Sequence, residues 1–473
     1  MTILVLGATG LIGQHLLAAL RAAGHTAIGA SRREPAGGGA WRELDFAALT
    51  SAAAWLPLLD GVDAVVNCVG ILREYRAGDF ERLHHLAPAA LFAACEQAGV
   101  KRVLHLSALG STADAPTAYW RSKAAAEHAL ARHALDSTIV RPSLVYGAEG
   151  ASSKLFLALA TLPAVLLPAA HSSRVQPVHI DDLCAVMLAL LPMPVAPGGG
   201  LASASVLAGP TAPYPRELAA VGPRAMSLAE YLACLHTGLS ARHALTAFAA
   251  TAAASAILID APSASAPSPG ASLAGAPLVL ELPMPAAMLA ARIASLHPAS
   301  ALTPDSLRML AASANGCNTA DPAPMHALLD GRALRDPVSF AAPAQKPAAV
   351  LSWAMPLATT SMAALWLWTA FVSWFVWPHA DSITWLTACG IPASLGEAAL
   401  AGASLLDAAI GCALLLRPRR WLWALQLALV GGYTVAMTLF LPEFWLHPFG
   451  PLSKNLPILA LLLLMWCLHE ERN

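Results

Sequence analysis

In the stretch AYWRSKAAAEH, residues 118–128, a tyrosine and a lysine stand four apart, at 119 and 123. On a helix that spacing puts both side chains on one face. An ammonium beside a phenol favours the phenolate and lets the pair move a proton near neutral pH. The same ammonium can hydrogen-bond the ribose of a nicotinamide cofactor. The spacing is common by chance, so its setting decides. Ser107, in HLSALG, ends an apolar run twelve residues before Tyr119. The C-terminal ends of parallel strands are where open sheets bind ligands. Ser107, Tyr119 and Lys123 are therefore the candidate catalytic set.

A second motif supplies the ligand. GATGLIG holds Gly7, Gly10 and Gly13, with Thr9, Leu11 and Ile12 between them, directly after an apolar run and before a helical pattern. Glycines belong where the backbone turns tightly against a pyrophosphate, and the helix that follows offers free N–H groups and the positive end of its dipole. The second strand ends in Ser31, Arg32 and Arg33, where an acidic residue would grip the ribose hydroxyls of NAD. Arginines suit a 2′-phosphate instead, which predicts NADP(H) in preference to NAD(H). Asp45 follows the third strand and could meet the adenine edge. Asn67 and Gly70, in VVNCVG, end the fourth strand where the chain passes the cofactor ribose.

These residues need a scaffold. Residues 3–8, 26–31, 64–70, 102–108 and 137–143 are nearly continuous apolar runs, as buried parallel strands require. Helical patterns at 11–23, 79–98 and 118–134 alternate with them, which predicts a doubly wound α/β sheet of Rossmann type. Domain boundaries are expected near 235 and 350, giving 1–235 as the nucleotide-binding domain with a smaller substrate region and 236–350 as its remainder. PMPVAPGGG at 192–200 breaks the chain, and 240–277 is an Ala/Ser/Pro-biased insertion expected to be poorly ordered at least over 261–277. Residues 215–235 and 303–312 read as structured, the latter opening with Thr303 and Pro304 as a helix should.

The first 235 residues resemble the short-chain dehydrogenase/reductase superfamily, in its extended or atypical branch. The likeness is carried by GATGLIG, NCVG, Ser107, Tyr119-x-x-x-Lys123, VRPSLVYG (140–147) and PVHIDDLC (177–184). That branch includes NAD(P)-dependent epimerases, dehydratases and reductases, and an accessory subunit of respiratory complex I. The resemblance implies that Tyr119 is the acid/base, that Lys123 lowers its pKa and binds the ribose, and that Ser107 orients the substrate. It implies that Pro142 and Ser143 line the nicotinamide side. Asp181 or Asp182 would be a structural helix N-cap.

Composition changes after residue 351. Only 12% of the 473 residues are charged and 57% are hydrophobic, against about 25% charged in soluble domains. Apolar stretches at 357–377, 395–416, 421–440 and 452–468 approach the ~20 residues of a bilayer span, the fourth being short. A four-helix transmembrane bundle over 351–473 is expected. Arg332, Arg335, Lys346 and RPRR at 417–420 put the cytoplasmic side at both ends of the chain, in an inner or cytoplasmic membrane, with Lys454 as a dissenting charge. This region resembles the DoxX-like membrane family, most sharply in HPFGPLSKNLP (447–457). Asp407 falls mid-span, with Lys454 or Asn455 as candidate partners and Glu397 nearer the outer end. Trp366, Trp368, Trp374, Trp377, Trp421, Trp423 and Trp445 read as interfacial anchors.

A net charge of −1 gives no reason to expect nucleic acid, and eight scattered cysteines without C-x-x-C spacing argue against a disulfide framework or a structural zinc, so no metal is expected. They read as reduced core residues. His84 and His85 read as surface or core residues, not ligands. The N-terminus reads as a strand and not a signal peptide. The combined reading is a membrane-tethered NADP(H)-dependent oxidoreductase acting on a carbonyl or alcohol, with a lipid-soluble small molecule as one class of substrate. A non-catalytic NADP(H)-binding scaffold on a membrane complex and a sugar-nucleotide epimerase or dehydratase are the alternatives.

Overall fold

The structure, a computed structural model, describes residues 1–35, 39–191, 216–240, 276–295, 302–448 and 450–469. The break at 192–200 lies outside the described residues, as does the Ala/Ser/Pro-biased insertion apart from Ser240, Ala276 and Pro277. The chain divides into two compact units, Met1–Ala349 and Val350–Asn473.

In the first unit, strands β1 (Thr2–Leu6), β2 (Thr26–Ser31), β3 (Trp41–Glu43), β4 (Ala64–Asn67), β5 (Arg102–Leu106) and β6 (Ser137–Pro142) build most of a seven-stranded sheet. Two short strands follow, β7 (Val145–Tyr146) and β8 (Ala164–Leu167), then β9 (Val178–His179), and β10 (Glu217–Ala220) completes the sheet at its edge. The order is β10-β6-β5-β4-β1-β2-β3, every pairing is parallel, and the direction of winding reverses between β1 and β4. β7 pairs with β9, and β8 with β11 (Leu278–Glu281).

Alternation along β1 sorts its side chains between two cores. Ile3 and Val5 pack with Leu16, Leu17 and Leu20 of helix Leu11–Ala22 and with Leu183, Val186 and Met187 of helix Ile180–Ala189. Leu4 and Leu6 pack on the other face with Leu91, Phe92 and Cys95 of helix Ala87–Gln97. Both faces are covered, so strand residues on either side are apolar. The first core also takes in Met325 and Leu334, far along the chain. Thr303 caps helix Pro304–Ser313 through a hydroxyl that accepts from Ser306 N at 3.1 Å.

The expected N-cap role of Asp181 or Asp182 is corrected. His179 is the cap, its Nδ1 accepting from Asp181 N at 3.2 Å. Both aspartates sit in the first helical turn and hold a later segment. Asp182, buried, accepts from Arg332 at 2.9 Å and from Arg335 N at 2.8 Å, and Asp181 pairs with Arg335 at 2.6 Å.

In the second unit, Met362 and Trp366 of helix Lys346–Phe371, Ile410 and Leu414 of Gly396–Leu416, Trp423 and Val430 of Arg420–Phe440, and Leu462 and Met465 of Asn455–Leu468 share one core. Three helical stretches, Pro343–Val376, Ala393–Leu416 and Arg420–Phe440, are long and apolar enough to cross a membrane. The fourth, at 14 residues, is short. The 378–394 connection contains a helix, His379–Ala388, set off by Pro378 and by Gly390 at φ +91. Trp366 and Trp423 are not interfacial anchors but core residues: Trp366 Nε1 donates to the buried Gln426 Oε1 at 2.7 Å, and Trp423 is fully buried. Trp368, Trp374, Trp377, Trp421 and Trp445 are exposed. Neither Lys454 nor Asn455 meets Asp407. Asn455 Nδ2 donates to Thr434 Oγ1 at 2.9 Å, Thr369 is the hydroxyl beside Asp407, and Glu397 lies 3.2 Å from His379.

Candidate active site

All the sequence-derived residues lie along the C-terminal edge of the sheet or on the loops and helices leaving it. Gly7 takes φ +72, where a side chain would be strained, and its ideal Cβ would lie 3.0 Å from the Cys68 carbonyl. A Cβ on Gly13 would lie 2.2 Å from Gly7 O, so helix Leu11–Ala22 can rest on the loop only with glycine there. Gly10 caps that helix without a side-chain acceptor, leaving first-turn N–H groups for a ligand, and Thr9 beside it is exposed. Leu11 seats against Gly147 and Gly150. Ile12 packs at the edge of the first core. This cradle fits a dinucleotide pyrophosphate.

Arg32 and Arg33 are exposed at the end of β2, and the Ser31 hydroxyl donates to Arg33 O at 2.7 Å, folding that turn. Asp45 is exposed but accepts from Ala47 N at 3.2 Å, capping a short turn. Pro142 ends β6. The Ser143 hydroxyl is spent on structure: it donates to Asn318 O at 2.9 Å and accepts from Gln176 N at 3.4 Å. Its side chain fastens residue 318 to the sheet.

The centre of the edge is a buried polar network. Asn67 is fully buried; its Oδ1 accepts from Val69 N at 3.1 Å and its Nδ2 lies 3.2 Å from His105 Nδ1. Lys123, 3% exposed, donates to the carbonyls of Val69 at 3.2 Å and Leu106 at 3.0 Å, joining the ends of β4 and β5. A Cβ on Gly70 would lie 3.0 Å from its Nζ, so Gly70 lets the chain pass the ammonium. Burial pulls the Lys123 pKa down to about 8. Ser107 Oγ is buried and has no hydrogen-bond partner among the described residues.

Tyr119 departs from expectation. Burial raises its pKa to about 12, so the phenol and not the phenolate is the resting form. The reason is its neighbours: Phe80 at 6.1 Å, His84 at 5.7 Å, Trp120 and Ala108 enclose it. A phenol can donate a proton, which a phenolate cannot.

His84 is the site residue whose part the sequence hid. Its Nε2 accepts from Ile71 N at 3.0 Å, which assigns the proton to Nδ1. Nδ1 then donates to Ser122 Oγ at 2.9 Å, and Ser122 Oγ donates to Tyr119 O at 2.8 Å. The chain of bonds ties the loop after β4 to the helix Ala118–Leu130. Burial, then the charge of Lys123, holds the His84 pKa down to about 2, so the ring stays neutral. Ser122 was visible between Tyr119 and Lys123, but its partner lies 38 residues away. A cleft of about 480 Å³ lies between the 109–116 loop and residues 312–317, with Trp120, next to Tyr119 in the chain, and Arg141 in its wall; Ser107, Tyr119 and Lys123 do not themselves line it. Ser111 Oγ and Trp120 Nε1, both in that wall, are buried and lack partners among the described residues.

Residues 3–201 match the NAD dependent epimerase/dehydratase family. The first unit carries an epimerase/dehydratase-type domain. Residues 363–463 match the DoxX-like family, so the epimerase/dehydratase-type domain is joined to a DoxX-like membrane domain. The chain is 28% identical over 195 residues to the ceramide reductase of Caulobacter vibrioides, across 40% of this chain and 61% of that protein. It is 30% identical over 136 residues to NADH dehydrogenase [ubiquinone] 1 alpha subcomplex subunit 9 of Arabidopsis thaliana, across 27% of this chain and 33% of that one. The chain thus spans less than two thirds of either relative. Among solved structures, the UDP-N-acetylglucosamine 4-epimerase of Bacillus cereus overlaps at a TM-score of 0.39 and 17% identity, over 50% of this chain and 81% of that one.

Proposed function

We propose that the protein is a membrane-tethered NADP(H)-dependent reductase of a lipid-soluble carbonyl compound. The observation that carries this is the buried, unpartnered Ser107 hydroxyl just past β5, whose last carbonyl Lys123 holds, on the same sheet edge as the glycine-rich loop. When bound, the nicotinamide supplies the hydride. Ser107 Oγ, unpaired, hydrogen-bonds the substrate carbonyl. Tyr119, held as the phenol, gives its proton to that oxygen as negative charge develops there. The Lys123 ammonium fixes the ends of β4 and β5 and offers its remaining N–H to the ribose. Arg32 and Arg33, exposed at the end of β2, receive the 2′-phosphate. Two features support a lipid-soluble substrate: the DoxX-like domain, and the likeness to a protein named for reducing ceramide. Basic residues at 332, 335, 346 and 417–420 support a cytoplasmic first unit.

Full-length protein in phospholipid nanodiscs tests this, with NADPH oxidation followed over a panel of long-chain ketones. Tyr119→Phe should lower turnover about 10²–10⁴-fold with NADPH binding unchanged. Turnover should also decline above about pH 8, where Lys123 gives up its proton. Equal turnover by Tyr119→Phe would end this assignment. The likeness to the mitochondrial NADH dehydrogenase subunit favours a second reading, an NADP(H)-holding scaffold. That reading expects tight NADPH binding with no turnover of any member of the panel.

A further inference from the structure

The apolar surface of the first unit is not spread evenly. Helix Met284–Ala294 buries Ala287 and Ala291 against Leu307 of helix Pro304–Ser313. Its opposite side presents Leu289 and Ile293, one turn apart, 60% and 62% exposed, with Pro285, Ala286 and Ala290 also exposed. The strand leading into it, β11, exposes Leu278 and Leu280, and Leu166 of β8 stands exposed opposite Leu280 in the register. The 71–76 loop adds Leu72 and Tyr75, 67% and 68% exposed. Arg73 links these parts: its Nη2 donates to Ser295 O at 3.3 Å, just past the helix, and its guanidinium lies over the Tyr75 ring. Arg292 is exposed on the helix beside Ile293. A soluble surface scatters its large apolar residues, whereas leucines and isoleucine grouped with tyrosine and arginine are what a headgroup boundary selects.

The occupant follows from the chain itself. Residues 349 and 350, where the two units meet in sequence, lie within one helix, Lys346–Phe371, which is part of the first membrane-crossing stretch. The chain leaving this unit therefore runs directly into a stretch apolar enough to enter a bilayer. The neighbouring helix Pro304–Ser313 leads inward. Leu307 meets the exposed helix, while Met309 and Ala312 pack on the cluster around Tyr119, and Ala312 also walls the cleft.

We infer that helix Met284–Ala294, with Leu72 and Tyr75, is a foot that rests in the headgroup–acyl boundary of the membrane and forms the lip over which an amphiphilic substrate reaches the cleft. The foot stands on the exposed residues alone; the entry role rests on the reductase reading.

The test uses the full chain in nanodiscs of phosphatidylcholine and phosphatidylglycerol containing nitroxide-labelled lipid. Exposed Cys412 and Cys467 are changed to Ser, and a fluorophore is placed at Ile293→Cys or, as control, at Lys101→Cys, before the N-terminal end of β5. The parent without an added cysteine gives the background. Quenching at 293 several-fold above that at 101 is expected. Adding Leu289→Glu should bring it down to the control level while NADPH binding holds, showing that the unit is still folded. In the catalytic assay Leu289→Glu should raise KM for a long-chain ketone with kcat unchanged and leave a short, water-soluble ketone unaffected. Quenching absent at 293, as when a second copy or another protein covers this face, overturns the foot, as does equal quenching at both positions. A KM unmoved by Leu289→Glu overturns the entry role. Loss of the reductase reading itself would appear in Tyr119→Phe and leave the quenching result standing.

Discussion

The sheet unit and the membrane unit both bury polar side chains, but they bind them differently. At the sheet edge Asn67, His84 and Lys123 each bond backbone groups of the loop after β4, Lys123 also holds the last carbonyl of β5, and Ser107 is left with an open hydroxyl. In the membrane unit Gln426 uses both ends of its amide on helices, accepting from Trp366 and donating to Leu422 O at 2.9 Å. The first arrangement shapes loops around a space. The second braces one helix against another. The membrane unit also buries a hydroxyl without a partner, that of Ser404, so what sets the sheet edge apart is that its buried polar groups hold non-helical backbone.

The sharpest way to break this contrast is at the cradle. Gly13→Val puts a Cβ on Gly7 O and should weaken NADPH binding at least ~100-fold by fluorescence titration, since the pyrophosphate contacts depend on that loop. A titration unchanged from the parent would show that the loop is only a turn. Acid should come next in size. Free histidine titrates near 6.5, while burial holds His84 to about 2 and His105 to about 3. Between those values the unfolded chain takes protons the folded one refuses, so stability falls as the pH drops below 6.5. From pH 7 to 5 each histidine should cost about 2 kcal/mol. Thermal unfolding of the first unit should therefore shift less with acid in His84→Asn than in the parent, and an identical shift would refute the neutral, buried ring. A smaller effect is expected at the cofactor's far end. Arg32→Ala with Arg33→Ala should reduce the NADPH-over-NADH preference about tenfold, or about 1.4 kcal/mol; a preference that stays put would move the phosphate site elsewhere. Smallest of all, Gln426→Leu should cost the membrane unit about 1 kcal/mol in a detergent unfolding series and leave NADPH binding alone. A loss of NADPH binding there would dissolve the contrast between the two units.

What the sequence displays follows the same division. Strands 26–31 and 102–106 and the glycine loop are legible because their signals are local: apolar runs, a tight turn, a helix start. Tyr119 and Lys123 are legible through their spacing. The state of Tyr119 is not, because it depends on Phe80 and His84, which only the fold brings beside it. His84 itself looks like any helical histidine until Ile71 and Ser122 close on it. In the membrane helices nearly every position is apolar, so the pattern does not say which face is inward, and Trp366 and Trp423 pass for surface tryptophans.

Met325 and Leu334 share a core with Ile3 and Val5, and Val221 N lies 3.0 Å from Met325 Sδ. During synthesis, that core therefore stays incomplete until residues just short of the first membrane-crossing stretch have left the ribosome. Folding of the nucleotide-binding unit and delivery of the chain to the bilayer become neighbouring events in time. A fragment ending near residue 235 would carry every candidate catalytic side chain yet lack Met325 and Leu334, which complete the core on one face of the sheet.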